Sequence, residues 1–232
     1  MIRSKINKKK VIHFIGIGGI GMSGIAELMH NLGYKIQGID LTINNNIKKL
    51  KRKKINIFFN HKRKNICNAD AIVYSSAIKN NNPEILAAIK NSIPIVSRAD
   101  MLGELMRNKN SIAIAGSHGK TTTTSLIGFI LQRCEKDPTI VNGGIINSFS
   151  SNNRFGQGKW MVVEADESDG SFLRLPHEIN IITNIDREHL DYYQNFEKLM
   201  SSFKKFATNI PFYGTTIICL ENSNSKRLSK NI

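Results

Sequence analysis

The stretch Ala115-Gly116-Ser117-His118-Gly119-Lys120-Thr121-Thr122-Thr123-Thr124 decides the fold of the second half of this 232-residue chain. The apolar residues Ile112 to Ala115 lead into it as a strand, and a helix is predicted over Ser125 to Arg133. Strand, glycine loop and helix in that order build a phosphate cradle. The glycines let backbone N–H groups turn inward, and the helix N-terminus adds its partial positive charge. In such a cradle Lys120 reaches the terminal phosphates of a nucleoside triphosphate, and the Thr121 hydroxyl takes a Mg²⁺ position. The standard phosphate loop has a glycine where this chain has Ile114, so the loop is a shorter variant that starts at Gly116. The alternative is a Gly-Lys-Thr turn capping an ordinary helix, which fits the strand and the four threonines less well.

Downstream segments add acids and a histidine. The apolar run Trp160 to Val163 reads as a buried strand and delivers Glu164-Ala165-Asp166-Glu167-Ser168-Asp169 at its end. Four acids in six residues repel one another unless a cation or basic partner is near. A phosphate loop with a metal-binding threonine calls for such a partner strand; the other reading is a solvated acidic turn. Ile179 to Thr183 forms a further strand, followed by Asn184-Ile185-Asp186-Arg187-Glu188-His189. Asn184 or Asp186 is expected to cap the next helix, with His189 in its first turn and facing the same crevice. Phe196, Leu199, Met200, Phe203 and Phe206 recur at helical spacing and read as core. Thr139 to Asn142 is read as a strand ending in a turn at Gly143-Gly144, and Thr215 to Leu220 as the last strand before a polar tail.

The first half opens with a buried strand, Val11 to Ile15, and then Gly16-Ile17-Gly18-Gly19-Ile20-Gly21. A helix to about Leu32, a stop at Gly33 and a second strand from Tyr34 to Ile39 closing at Asp40 complete a dinucleotide-type fingerprint. This pattern specifies a pyrophosphate against the glycines and a ribose near Asp40, without specifying which nucleotide carries them. Strands at Ala71 to Tyr74 and Ile93 to Val96, a helix over Pro83 to Lys90 and a short helix from Ser97 to Arg107 extend the alternation. Ser75 and Ser76 follow a strand end, where α/β sheets place their ligand crevice. The expected fold class is α/β, with a Rossmann-like parallel-sheet domain over residues 1–108 and a phosphate-loop α/β domain over 109–232. The polar Asn108-Lys109-Asn110 marks the boundary.

Thirty-three Lys and Arg against 18 Asp and Glu give a net charge of +15. The excess lies in loop-like clusters (Lys8 to Lys10, Lys48 to Lys54, Lys62 to Lys64) rich in asparagine and without interleaved aromatics. This pattern reads as AT-rich codon drift and not as a nucleic-acid site. Cys67, Cys134 and Cys219 are widely spaced and read as buried or half-buried thiols in a reducing compartment. The basic N-terminus before Val11 imitates a signal peptide, but its apolar run is short and broken by glycines. No segment approaches the ~20 apolar residues of a membrane span. A cytoplasmic protein without membrane or specific nucleic-acid partners is expected; no feature of the sequence fixes the oligomeric state.

Taken together, Gly16 to Met22, Ser97 to Leu102, Gly116 to Thr124, Glu164 to Phe172 and Thr183 to Tyr193 resemble the ATP-dependent Mur ligases of peptidoglycan synthesis, in the family's order over nearly the whole chain. The resemblance implies that the first glycine loop holds a UDP-sugar through Gly16, Gly18, Gly19, Gly21, Met22, Asp40 and Ser75. It implies that ATP lies on Gly116, Ser117, His118, Gly119, Lys120, Thr121 and Thr122. Lys120, Glu164 and His189 would be catalytic, with Thr121, Glu164 and His189 holding Mg²⁺. The implied substrates are UDP-N-acetylmuramate and L-alanine, joined through an acyl phosphate. A ligase adding a preformed peptide, a non-catalytic UDP-sugar-binding remnant and, on the first 40 residues alone, an NAD-dependent dehydrogenase are the rival readings. The family also has a third, carboxy-terminal domain, and nothing after Leu220 resembles its approach. This polypeptide is therefore expected to be a fragment or the product of a truncated gene, and to ligate poorly or not at all by itself. Turnover equal to that of a full-length ligase, in an assay of ADP release, would contradict this expectation.

Overall fold

The computed structural model describes residues 10–146 and 151–232; Lys8 and Lys9 of the first basic cluster lie outside the described residues. The chain divides into two compact units, one up to Met101 and one from Leu102 to Ile232. The division falls ahead of Asn108-Lys109-Asn110, inside a helix spanning Arg98–Met106.

In the first unit, β1 (Val11–Ile15), β2 (Lys35–Ile39), β3 (Asn56–Phe58), β4 (Ala71–Tyr74) and β5 (Ile95–Ser97) form one parallel sheet in the order β3-β2-β1-β4-β5. Strand β1 lies at the centre and is apolar throughout except for His13, with Phe14 and Ile15 wholly buried. Helices α1 (Ile20–Asn31), α2 (Asn45–Arg52), α3 (Pro83–Lys90) and α4 (Arg98–Met106) connect the strands. Pro83 starts α3 where its missing N–H costs nothing, and Asn82 caps it by accepting from Glu84 N–H.

Two basic stretches expected as loops are ordered instead. Lys48 to Arg52 belong to α2, capped by Asn44, whose side chain accepts from Ile47 N–H at 2.9 Å. Only Ile47 and Leu50 of this helix are buried, so its apolar face is two residues wide and its composition conceals it. Lys49 and Lys53 pair with Glu27 at 2.9 and 3.2 Å. Residues Arg63–Ile66 form a 3-10 turn that buries Ile66. The three cysteines are free and exposed, contrary to expectation.

The second unit contains β6 (Asn110–Ala115), α5 (Lys120–Arg133), β7 (Thr139–Ile146), β8 (Ser151–Arg154), β9 (Trp160–Glu164), β10 (Ile179–Ile182), α6 (Leu190–Tyr193), α7 (Phe196–Thr208), β11 (Thr215–Ile218) and α8 (Ser223–Ser229). Their sheet has the order β11-β10-β6-β9-β7-β8, parallel except for β8, which runs antiparallel to β7. Three expectations are corrected here. Helix α5 starts at Lys120, so the threonines are its first turns and not a lead into it. Strand β7 continues through Gly143-Gly144 instead of turning there: pairing with β9 ends at Val141, and pairing with β8 resumes at Ile146 opposite Ser151. The polar tail holds α8, where Asn222 accepts from the N–H groups of Asn224 and Ser225 and Leu228 is buried. The stripe on α7 packs inward: Phe203 and Phe206 lie 5.4 and 5.0 Å, centroid to centroid, from Phe172. Among the described residues no helix is long and apolar enough to cross a membrane.

The first unit also buries a polar network. Glu84 is fully buried on α3, and its carboxylate accepts from Asn65 Nδ2 at 2.6 Å and contacts His61 Nδ1 at 3.0 Å and His13 Nε2 at 3.8 Å. Burial pushes this carboxyl up, but the His13 ring close by and the hydrogen bonds with His61 and Asn65 outweigh it and hold it below its usual 4.5. The ionised form therefore stabilises the fold above that value, and the contribution is lost as pH falls through the lowered one. We expect Glu84→Gln to cost about 1–3 kcal/mol at neutral pH and to flatten the acid limb of stability below pH ~4.5 in urea unfolding. An acid limb as steep as in the wild type would show that another group causes it.

Candidate functional site

Loop Gly116–Gly119 emerges from the carboxyl end of β6, between its two parallel neighbours β9 and β10. Those neighbours end in Glu164 and in Thr183-Asn184, so three strand ends place the phosphate loop, the acid run and the histidine segment together. Gly116 has φ +137°, and a Cβ there would lie 2.1 Å from Thr183 Oγ1 and 2.9 Å from the Asn184 carbonyl oxygen. Only a residue without a side chain fits.

Asn184 and its neighbours hold the loop from outside. The Asn184 carbonyl accepts from Ser117 N–H at 3.1 Å, and its side chain accepts from His118 N–H at 2.8 Å while donating to the His118 carbonyl at 2.9 Å. Thr183 Oγ1 donates to the same carbonyl at 2.7 Å, and Ser117 Oγ accepts from Asp186 N–H at 2.9 Å. Neither Asn184 nor Asp186 caps the next helix as expected. That helix begins at Leu190, with His189 before it in a left-handed conformation (φ 56°). Backbone N–H groups of Ser117 and His118 are thus spent on Asn184, and the first turn of α5, behind Gly119 at φ +79°, supplies N–H groups that can face a ligand.

Lys120 folds back over the loop, donating to the carbonyls of Gly116 and Ser117 at 2.6 and 3.2 Å and to Glu167 Oε1 at 2.9 Å. Thr121 Oγ1 donates to Glu164 Oε2 at 2.9 Å. A hydroxyl and a carboxylate oxygen converging at a strand end form a hard donor pair that suits Mg²⁺. Thr122 continues α5. His189 Nε2 stands 3.7 Å from Glu167 Oε1, and Glu167, Glu188 and His189 present ligand atoms within 4.8 Å of one another. His118, more than half exposed, lies 3.5 Å from both Asp186 and Glu188.

Glu167 is the residue sequence reasoning passed over. It sits among four acids, and its distinction is burial (1 % exposed), produced when Phe172 packs on α7 and Tyr193 donates its hydroxyl to the Glu167 carbonyl at 2.5 Å. No local pattern separates it from Asp166 or Asp169. Burial raises its carboxyl above the usual range, opposed by Lys120. Burial also pushes the Tyr193 hydroxyl up, so it stays a donor.

In the first unit the loop after β1 lies opposite Ser75, at the point where the order reverses between β1 and β4. Ser75 Cβ approaches the Gly16 Cβ position to 3.3 Å. Asp40, expected at a ribose, is committed to the loop: Oδ2 accepts from Gly18 N–H at 2.8 Å, and Oδ1 accepts from Thr42 N–H and hydroxyl at 3.1 Å. Asn44 and Asn46 both donate to the Gly18 carbonyl at 3.0 Å. Met22 is 2 % exposed and packs in the core, so its side chain does not line a crevice. Gly19 stays beside it, and a Cβ at Gly21 would fall 2.6 Å from an Arg98 guanidinium nitrogen. Ser97 and Asp100 form a reciprocal cap of α4, Oγ donating to Oδ2 at 2.6 Å and accepting from Asp100 N–H at 3.2 Å.

Two phosphate-type loops on successive α/β units, the second with a lysine, a threonine and an acid at adjacent strand ends, define a nucleotide-dependent transferase or ligase architecture. The catalytic-domain model of the Mur ligase family matches residues 11–110, and the Mur ligase middle domain matches residues 114–232. The chain belongs to the Mur ligase family. A UDP-N-acetylmuramate--L-alanine ligase of Brucella ovis is 54% identical over 222 residues, covering 96% of this chain and 47% of that protein. The crystal structure of a UDP-N-acetylmuramate-alanine ligase from Thermotoga maritima superposes with a TM-score of 0.83 at 32% identity, over 94% of this chain and 50% of that one. A UDP-N-acetylmuramate:L-alanyl-gamma-D-glutamyl-meso-diaminopimelate ligase from Neisseria meningitides shares the fold, with a TM-score of 0.88 at 22% identity over 97% and 75% of the two chains. The chain spans about half the length of the curated relatives it matches.

The Gly116 contact gives a direct test. Gly116→Ala is expected to cost about 2 kcal/mol or more in urea unfolding of the second unit, because the added methyl meets Thr183 and the Asn184 backbone. A loss below about 0.5 kcal/mol would mean that the loop and the end of β10 separate freely.

Proposed function

We propose that this chain forms the sugar-nucleotide-binding and ATP-binding portion of a ligase that joins L-alanine to the carboxylate of UDP-N-acetylmuramate. One observation carries the reading: Lys120, Thr121 and Glu164 converge at the ends of adjacent parallel strands, with Thr121 Oγ1 2.9 Å from Glu164. Hydride transfer by a dehydrogenase has no use for this second cradle. Identity of 54% to an L-alanine-adding ligase over 96% of this chain favours that amino acceptor over a preformed peptide.

In the proposed reaction a carboxylate oxygen of the UDP-sugar attacks the γ-phosphorus, and ADP departs with the bonding pair. The α-amino nitrogen of alanine then attacks the acyl carbon and loses a proton, and phosphate leaves with the C–O electron pair. Lys120 and the free N–H groups of α5 balance the charge on the transferring phosphoryl group. Thr121 and Glu164 would hold Mg²⁺, with His189 beside a second cation position near Glu167 and Glu188; the metal supplies positive charge to the phosphate oxygens. Gly16, Gly18, Gly19 and Gly21 admit the pyrophosphate of the UDP-sugar, with Ser75 across the crevice. Asp40 keeps this loop in shape. The polar, charged substrates accord with a cytoplasmic setting.

Calorimetric titration is expected to show UDP-N-acetylmuramate binding and no NADH binding, with Mg-ATP affinity falling about tenfold or more in Lys120→Ala. Binding of NADH alone would overturn the reading.

A further inference from the structure

Lys120 has three donor protons, and all three are taken within the protein, by the carbonyls of Gly116 and Ser117 and by Glu167 Oε1. The lysine side chain is 14 % exposed and the glutamate 1 %, so this ion pair is screened little by water. The backbone that carries Glu167 is held at the residue's own carbonyl group and beyond it. Its carbonyl is held by the Tyr193 hydroxyl at 2.5 Å, and Phe172, five residues on, is wedged between Phe203 and Phe206. Its second oxygen, Oε2, is buried and without a hydrogen-bond partner among the described residues. A triphosphate entering the cradle must therefore draw Lys120 from its acceptors, against the repulsion of a buried carboxylate.

We propose that Glu167 is a positioning residue that holds Lys120 in a retracted resting position, and that nucleotide binding exchanges this carboxylate for phosphate oxygens. The inference rests on the reading of Gly116 to Thr122 as an ATP site, but names a competitor within the protein for the lysine charge. The exchange involves no covalent step. Glu167 thereby lowers nucleotide affinity in return for a lysine delivered from one defined place. It also links the loop to the His189 segment, since His189 precedes α6, Tyr193 ends it, and both approach Glu167.

Glu167→Gln keeps a hydrogen-bond acceptor of the same shape and removes the charge. Two readouts on the 232-residue chain test the proposal. Without nucleotide, limiting acetic anhydride followed by peptide mass spectrometry reports the acylation rate of Lys120, with the other lysines as internal reference. Acylation is expected to be slow in the wild type and several-fold faster in Glu167→Gln. Calorimetry with Mg-ATP is expected to show several-fold tighter binding in the variant, the opposite of what general loosening of the site would give. Unchanged Lys120 acylation would overturn the proposal, as would unchanged or weaker Mg-ATP affinity beside a wild type that binds. Faster acylation with no ATP binding by either protein would leave Glu167 as the clamp and refute the nucleotide reading instead. Should Glu167→Gln fail to fold, Glu167→Asp, which keeps the charge one methylene short of the lysine, is expected to speed acylation in the same way.

Discussion

The contact between Gly116 and the end of β10 is the constraint on which the second unit depends. A backbone that passes within about a methyl radius of Thr183 and Asn184 gives the loop one allowed path. That path gives Asn184, 66 residues from His118 in sequence, both an acceptor and a donor role on the same residue of the loop. Once the loop is fixed, Lys120 starts α5 and Thr121 follows it within reach of Glu164. The site is therefore a property of three strands in register and not of the glycine motif by itself.

The first unit solves a similar problem by other means. Its glycine loop is held by the Asp40 carboxylate on one N–H and by two asparagine amides on one carbonyl. The residue that a dinucleotide fingerprint assigns to a ribose serves the loop instead. Three hydrogen bonds from the loop and from Thr42 occupy most of the acceptor capacity of this carboxylate.

Much of this was legible in the sequence because the relevant signals are local. Val11–Ile15, apolar but for His13, and Trp160–Val163 are apolar runs of strand length that fit buried parallel strands, and Pro83 marks the start of α3. Helix α2 was hidden because four of its eight residues are basic and two apolar positions suffice to seat it. Strand β7 runs past its glycines because the next strand, β8, pairs antiparallel with it as far as Ile146 and moves the reversal beyond the glycines. The role of Glu167 was illegible for the same reason: burial is conferred by Phe172, Tyr193 and α7, none of which alters the residue types around it. Asn184 was read as a cap because short polar side chains after a strand usually are; the loop 66 residues upstream competed for it and won.

Among the described residues strand β11 is the outermost strand on its side of the second sheet, with Ile217 about half exposed and Phe212 fully so nearby. Such an edge is adhesive toward its own kind. The shared charge of +15 opposes the approach of a second copy, a force that reaches only as far as the ionic atmosphere allows. That repulsion therefore follows the salt in the buffer: dilute electrolyte leaves it long-ranged, and concentrated electrolyte shortens it to a few ångströms.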